Sequence, residues 1–237
     1  MHLNPNQLAN DPAKLEQIEQ AALRLLVQAL YDYRGEASEI FRNETDNVAD
    51  IGEDITHEAV SSLGFSRIHR RLYGKVDLKR ACYLFLPEFS VRLALFIDSK
   101  AEKPGGAGVA RIQMSQLSMQ VLQTRAGLNI TVPGQFPKVV SLDGEDYLTI
   151  TMFVKYVYRE VAGANELQKI IVSSLPNGFL QQTYNPTHLD TIFTAGPNAP
   201  TLGEEFRTRL SFPRLKAKMN WRVQTINPSP AVFSWDA

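Results

Sequence analysis

The sequence predicts an α/β (α+β) protein in which helices flank a mixed central β-sheet. Residues 13–33 place apolar side chains at the spacing of one helix face, which indicates a long amphipathic helix. From residue 72 onward the pattern changes to segments rich in β-branched and aromatic residues, which are typical of strands. Helix-like segments lie before these strands and between them, so we expect helices around the sheet.

The predicted elements follow one another without an internal repeat, a low-complexity tract or a clear linker. After the first helix, residues 36–42 and 52–64 are predicted to form two more helices. Four strands are then expected, at 72–86, 91–98, 148–160 and 168–175. Residues 104–108 are glycine-rich and indicate a loop, and residues 110–123 are predicted to form a further helix. We therefore expect one domain that spans residues 1–237.

Composition and charge narrow the functional classes. The chain has 25 basic and 25 acidic residues, a balance that disfavours a non-specific nucleic-acid coat but allows a local basic cleft. Cys82 is its single cysteine, which excludes an intramolecular disulfide and a cysteine-rich zinc site. No apolar run has the length of a membrane helix, and the N-terminus lacks a signal-peptide pattern. We therefore expect a cytoplasmic protein without a membrane partner.

One strand-like run ends in charged residues. The apolar segment 94–97 is followed by Asp98, and Lys100 comes two residues later, so the alternation of a strand points both side chains to the same side. Asp77 lies on the preceding strand-like segment and can meet Asp98 if the two strands are neighbours. Two carboxylates and the backbone carbonyl of Ser99 would form an all-oxygen site of the kind that Mg²⁺ prefers.

Such a site suits the hydrolysis of phosphodiesters. A lysine close to the metal can orient the attacking water or help to deprotonate it, while the metal stabilises charge on the scissile phosphate. The simpler interpretation is an ion pair between two strand ends at the surface. The buried run before Asp98 favours a polar cleft at the edge of the sheet.

Several motifs together resemble a known family. They are "EDIT" (53–56), "KVDLKR" (75–80), "LFIDSK" (95–100), "SSLPNGFLQQTYNP" (173–186) and "RTRLSFPRLK" (207–216). Each motif is weak alone, but their order and spacing resemble the SfiI/BglI-like type II restriction endonucleases of the PD-(D/E)XK nuclease superfamily. The resemblance runs from about residue 20 to 225 and implies Mg²⁺-dependent, site-specific cleavage of double-stranded DNA.

The resemblance also implies roles for particular residues. Asp77 and Asp98 would hold Mg²⁺, and Lys100 would be the catalytic lysine. Glu53 would be a supporting carboxylate, catalytic or not. The chain has Val76 where the superfamily has proline before the first aspartate, a departure that leaves the metal ligand in place.

The same resemblance implies an assembly and a type of recognition site. These relatives cut palindromes interrupted by unspecified base pairs and leave short 3′ overhangs. A symmetric site needs two active sites, so we expect at least a homodimer, or a homotetramer. A restriction-endonuclease-like catalytic core would span about 45–175, and a β-rich DNA-recognition part about 176–225. A cognate methyltransferase would act on the same site without binding the enzyme.

Candidate DNA contacts follow by position. Arg207 and Arg209 match the recognition strand of the relatives, and we expect Arg207 to read guanine. Asn198 lies in "GPNAP", where the relatives carry a lysine after the glycine, so it is either a base contact or a turn former. Further candidates are a polar residue on the predicted helix and two basic residues for phosphates: Gln116, Lys75 and Lys103.

Two other functions remain open. A repair or recombination nuclease of the same superfamily would share the active site but recognise DNA structure instead of sequence. A DNA-binding module would carry an inactive relic of the site. The joint presence of Asp77, Asp98 and Lys100 speaks against a relic, and a Mg²⁺-dependent cleavage assay separates the two.

Overall fold

A computed structural model describes most of the chain: residues 2–44, 48–63, 66–67, 81–106, 108–196, 207–229 and 233–237. Three of the predicted site residues, Lys75, Asp77 and Asn198, lie outside the described residues. Within the described part, no helix has both the length and the apolar character needed to span a membrane.

Five described α-helices are α1 (Pro12–Asp32), α2 (Arg34–Asn43), α3 (Val48–Ser61), α4 (Gln181–Tyr184) and α5 (Phe212–Lys218). The Asp11 carboxylate caps α1 by accepting a hydrogen bond from the Lys14 amide at 3.1 Å. The three helices predicted in the first 64 residues are confirmed, although α3 begins earlier than the predicted residue 52. The sequence prediction did not include α5, which Ser211 caps by accepting from the Arg214 amide.

The described strands are β1 (Ser66–Arg67), β2 (Ala81–Leu86), β3 (Val91–Glu102), β4 (Val109–Gln113), β5 (Val121–Arg125), β6 (Leu128–Val132), β7 (Val139–Leu142), β8 (Glu145–Val161), β9 (Ala164–Leu175), β10 (Phe193–Thr194), β11 (Arg207–Ser211) and β12 (Val223–Ile226). Seven of them form the main sheet in the order β1-β2-β3-β8-β9-β12, with β7 paired to β8. The β3–β8 pair is parallel and the others are antiparallel, so the predicted mixed sheet is confirmed.

Helices and a second sheet cover the two faces of the main sheet. Helices α1, α2 and α3 pack against β3, β8 and β9. On the face that carries Asp98, Phe153 of β8 contacts Phe212 of α5, with ring centroids 6.4 Å apart. Strands β10, β11 and β4 form a three-stranded sheet, and β5 and β6 form a hairpin.

The predicted helix at 110–123 is wrong. Its residues form β4, a 3₁₀ turn at Met114–Gln116 and the start of β5. β4 pairs with β11, which lies almost a hundred residues later, and Ala110 and Ile112 are buried between more exposed neighbours. This period-2 burial and the distant ladder override the local helical preference of the segment.

A buried polar cluster joins α1 to the C-terminal part of the fold. The Arg222 guanidinium donates to Glu19 Oε2 at 2.6 Å and to Tyr184 Oη at 2.6 Å. It also lies 4.4 Å from the ring centroids of both Tyr184 and Trp221. Glu19 accepts a second bond from the Asn177 amide at 2.7 Å, and neither charged side chain is exposed to solvent. The pair therefore depends on its internal partners.

Candidate active site

Strand β3 brings Asp98 and Lys100 together. β3 lies between β2 and β8, and the parallel register aligns Asp98 with Phe153 and Lys100 with Lys155. Lys100 Nζ is 3.2 Å from Asp98 Oδ1, as the two-residue alternation predicts. The Asp98 side chain is 13% exposed and the Lys100 side chain 40% exposed, so the pair occupies a partly open cleft.

The electric environment of Asp98 is unfavourable for its negative charge. Burial raises the pKa of its carboxyl above the ordinary value. The charge and hydrogen bond of Lys100 oppose that effect, Glu53 adds a repulsive negative charge, and a hydrogen bond from Gln116 favours the ionised form. Because the pKa stays raised, the lysine alone does not compensate the buried carboxylate.

Helix α3 carries Glu53 to this site through a close approach at Gly52. A Cβ built on Gly52 would lie 2.9 Å from Tyr156 Cδ2 and 3.3 Å from the backbone nitrogen of Ala101. Only glycine therefore lets the helix lie this close to the end of β3. Glu53 follows directly and contributes to the field at Asp98.

A chain of side-chain hydrogen bonds attaches α3 to the face of β3 that is opposite Asp98 and Lys100. The Ser99 hydroxyl donates to Thr56 Oγ1 at 2.8 Å, and Thr56 lies 2.8 Å from the Tyr156 hydroxyl. The Thr56 hydroxyl also bonds the Gly52 carbonyl at 2.9 Å. The Ser99 side chain thus serves packing, while its predicted role as a metal ligand concerns its backbone carbonyl and stays a prediction.

Gln116 lies beside Asp98 in a buried position, with 7% of the residue exposed. Its Oε1 accepts from the Gln113 amide at 3.0 Å, and its carbonyl accepts from the Thr151 hydroxyl at 3.2 Å. These bonds leave the amide nitrogen to donate toward Asp98. Gln116 was predicted to contact DNA from a helix; the helix is wrong, and no sequence pattern indicated its contact with Asp98.

Lys155 is a functional candidate that the sequence prediction missed. Its side chain is 1% exposed and pairs with Glu102 Oε2 at 2.7 Å. It also donates to the carbonyls of Gly106 at 2.7 Å and Val109 at 3.0 Å. The sequence does contain an indication that Lys155 is buried and paired. A single lysine interrupts the apolar run of β8, and a buried lysine needs partners. Lys155 thereby ties the end of β3 and the start of β4 to the central strand.

The other residues predicted to contact DNA lie in two places, on strand β11 and directly after β3. Arg207 begins β11 opposite Gln113 of β4. Arg209 is half-buried on the same strand. Lys103 follows β3 and pairs with Glu160 at 3.2 Å on an exposed surface. Their contacts with DNA stay predictions.

Comparison with known proteins then identifies the family. The family model described as type II restriction enzyme SfiI matches residues 15–226. The chain belongs to the SfiI family of type II restriction enzymes. It is therefore a site-specific deoxyribonuclease.

The restriction enzyme SfiI agrees with this assignment, and a second structural neighbour agrees with the fold. The type II restriction enzyme SfiI of Streptomyces fimbriatus is 34% identical over 244 residues, which cover 97% of this chain and 89% of that enzyme. The solved structure of tetrameric SfiI bound to cognate DNA superposes with a TM-score of 0.80 at 32% identity, covering 96% of this chain and 88% of that one. BglI bound to its recognition sequence gives a TM-score of 0.75 at 18% identity, with 95% of each chain covered, and supports the fold.

Type II restriction enzymes generally use a divalent metal ion, and the residues of this SfiI-family site fit one. The Asp98 carboxylate and the Ser99 carbonyl are the hard oxygen donors that Mg²⁺ binds. A bound cation would also oppose the effect of burial, which raises the pKa of the Asp98 carboxyl. Within the described ranges no three His, Cys, Asp or Glu side chains converge on one point, and the second predicted ligand, Asp77, lies outside those ranges.

Proposed function

We propose that this enzyme uses Mg²⁺ to hydrolyse both strands of an interrupted palindrome in double-stranded DNA and leaves short 3′ overhangs. The observation that carries the proposal is the pair of Asp98 and Lys100, 3.2 Å apart at the end of the buried strand β3. Asp98, Ser99 and Lys100 match the (D/E)XK half of a PD-(D/E)XK site. The relationship to SfiI supports the same reaction class.

Each residue of the site has a separate task in this reaction. Asp98, the Ser99 carbonyl and Asp77 would hold Mg²⁺. The bound ion would stabilise the negative charge that develops on the scissile phosphate. Lys100 holds its ammonium group against Asp98 and would orient the attacking water. Glu53 adds negative charge that favours a cation in the cleft.

Recognition and assembly would follow the relatives. The solved SfiI structure is a tetramer on cognate DNA, and we infer at least a homodimer for this chain, with a homotetramer as the SfiI-like form. One endonuclease domain would contain the catalytic core and the recognition strand β11. A restriction enzyme meets DNA in the cytoplasm, and host DNA survives there only if a methyltransferase modifies the same site.

The first test is digestion of a large phage DNA with Mg²⁺ or with EDTA, followed by sequencing of the fragment ends. We expect discrete Mg²⁺-dependent fragments whose ends share an interrupted palindrome. A smear would indicate a structure-selective or non-specific nuclease. Intact DNA would indicate a binding protein with an inactive cleft.

Two aspartate variants make that test specific. Asp98→Asn should abolish cleavage and leave specific binding in EDTA largely intact, since it removes a metal ligand and keeps the shape of the side chain. Asp143→Asn makes the same chemical change in the exposed turn before β8 and should cut like the wild type. Normal cleavage by Asp98→Asn would remove Asp98 from the metal site.

Arg207 is the proposed guanine reader, and a truncated side chain tests it. Arg207→Ala should lose roughly 1–3 kcal/mol of discrimination between the cognate site and a site with one guanine changed. Binding to both DNAs is measured in EDTA. An equal loss on cognate and random DNA would reassign Arg207 to a phosphate.

A further inference from the structure

Strands β4 and β11 are antiparallel neighbours in the three-stranded sheet β10-β11-β4, and this pair, here called the ribbon, has two unlike faces. One face is buried in the protein and consists of small or apolar side chains with one threonine: Ala110, Ile112, Thr208 and Leu210. The other face carries Arg111, which is exposed, and Arg209, which is half-buried. The register places these two arginines directly opposite each other.

This pairing of like charges is unfavourable in the isolated protein. Directly opposite residues of an antiparallel pair have Cβ atoms about 4.5–5.5 Å apart, and like charges there destabilise a sheet. No acid in the described part of the chain pairs with Arg111 or Arg209. By contrast, half-buried Arg92 donates to Glu145 at 2.6 Å, and exposed Arg159 donates to Glu166 at 2.8 Å. The ribbon therefore presents two neighbouring guanidinium groups that a polyanion would neutralise.

We propose that Arg111 contacts DNA beside Arg209, so that the DNA-reading element is the pair of strands β4 and β11 and not β11 alone. The inference depends on the proposed function, which places β11 on DNA. The major groove of DNA admits a two-stranded β-ribbon. A guanidinium fork matches two kinds of paired acceptors in DNA, the O6 and N7 atoms of guanine and the oxygens of a phosphate.

The ribbon is also held in a fixed place relative to the catalytic strand. β4 follows β3 after a short connection, and Lys155 bonds both the Gly106 carbonyl in that connection and the Val109 carbonyl at the start of β4. At the other end of β4, the Gln113 amide bonds Gln116. Arg111 lies between these two attachments, so its backbone position is set by the sheet.

The test compares two arginine variants that change the net charge equally. Arg111→Gln and Arg159→Gln each remove one positive charge, and Arg159 lies on the exposed end of β8 in its ion pair with Glu166. Binding to the cognate duplex, obtained from the digest, and to a scrambled duplex is measured in EDTA over a range of salt. We expect Arg111→Gln to weaken binding roughly tenfold or more. Arg159→Gln should bind like the wild type.

A third variant, Arg111→Lys, distinguishes the two acceptors. Lysine keeps the charge but lacks the fork, so it should restore binding if Arg111 contacts a phosphate and should not if it reads guanine. A phosphate contact also predicts equal losses on both duplexes and a salt slope that is smaller by about one for Arg111→Gln. A guanine contact predicts a loss confined to the cognate duplex.

Two negative results have different meanings. If the wild type binds the cognate duplex and Arg111→Gln binds both duplexes as Arg159→Gln does, Arg111 does not contact DNA and the inference is overturned. If the wild type binds and cuts no DNA at all, the proposed function itself fails. Thermal unfolding of each variant shows whether a loss of binding reflects a loss of folded protein.

Discussion

Replacing Gly52 by alanine should push α3 away from the end of β3. The added Cβ would lie 2.9 Å from Tyr156 Cδ2, 3.3 Å from the Ala101 nitrogen and 3.4 Å from the Lys100 carbonyl carbon. The Tyr156 ring is fully buried, and the other two atoms belong to the backbone, so none of them can turn aside. The helix therefore has to move.

The size of the effect follows from these distances. Carbon atoms in contact prefer separations of about 3.5–4.0 Å, so α3 has to shift by roughly 0.6–1 Å. Such overpacking costs typically about 1–3 kcal/mol. The same shift stretches the 2.8 Å bonds from Thr56 to Ser99 and Tyr156 and moves Glu53 relative to Asp98. A displacement of about 1 Å can lower a catalytic rate by up to a hundredfold.

The assay is urea unfolding together with the single-turnover rate of DNA cleavage, and Gly35→Ala is the matched control. Gly35 lies in α2, and a Cβ there would have nothing within 4 Å. The control should therefore gain up to about 0.5–1 kcal/mol of stability and cut at the wild-type rate. If Gly52→Ala is as stable and as active as the wild type, α3 is not in close contact with β3, and the placement of Glu53 at the site loses its basis.

Three further experiments test other parts of the structure. Gln116→Met removes both the amide that contacts Asp98 and the oxygen that accepts from the Gln113 amide, so it should lower the cleavage rate by about tenfold and also lower the melting temperature; unchanged cleavage would show that the contact is dispensable. Arg222→Met leaves Glu19 buried without its charge partner and should cost about 3–5 kcal/mol in urea unfolding. Adding Glu19→Gln should restore part of that loss, and a fully additive double variant would contradict the pairing. Burial raises the pKa of the Cys82 thiol to about 12, so a thiol reagent should label the native protein far more slowly than the unfolded chain; equal rates would show that Cys82 is accessible.

The strands with long apolar runs could be predicted from the sequence because both faces of their sheet are covered. β8 and β9 are confirmed with slightly longer bounds. β3 continues four residues past the predicted end at Asp98, since its polar residues stay in the parallel ladder with β8. Period-2 alternation therefore predicted the shared side of Asp98 and Lys100, but not how far the strand extends.

The rest of the site depends on contacts between segments far apart in the chain. Gln116 lies next to Asp98 because β4 pairs with β11, and no local pattern in 110–123 encodes that distant ladder. The role of Gly52 could not be predicted from the sequence either, since the glycine allows α3 to approach β3 closely. Lys155 is different, because a lone charge in an apolar strand signals a buried partner even when the partner is unknown.

The fold brings the candidate recognition and cleavage residues into one rigid unit. Lys155 bonds the carbonyl at the start of β4, and the Gln113 amide at its end bonds the side chain that contacts Asp98. Because the ribbon is attached at both ends, a shift of the ribbon on DNA would move β3 and its candidate catalytic residues with it. Catalysis requires the reacting groups to be held within a fraction of an ångström. Under the proposed roles of Asp98 and the ribbon, seating the ribbon on its DNA site would therefore also align Asp98 with a phosphate.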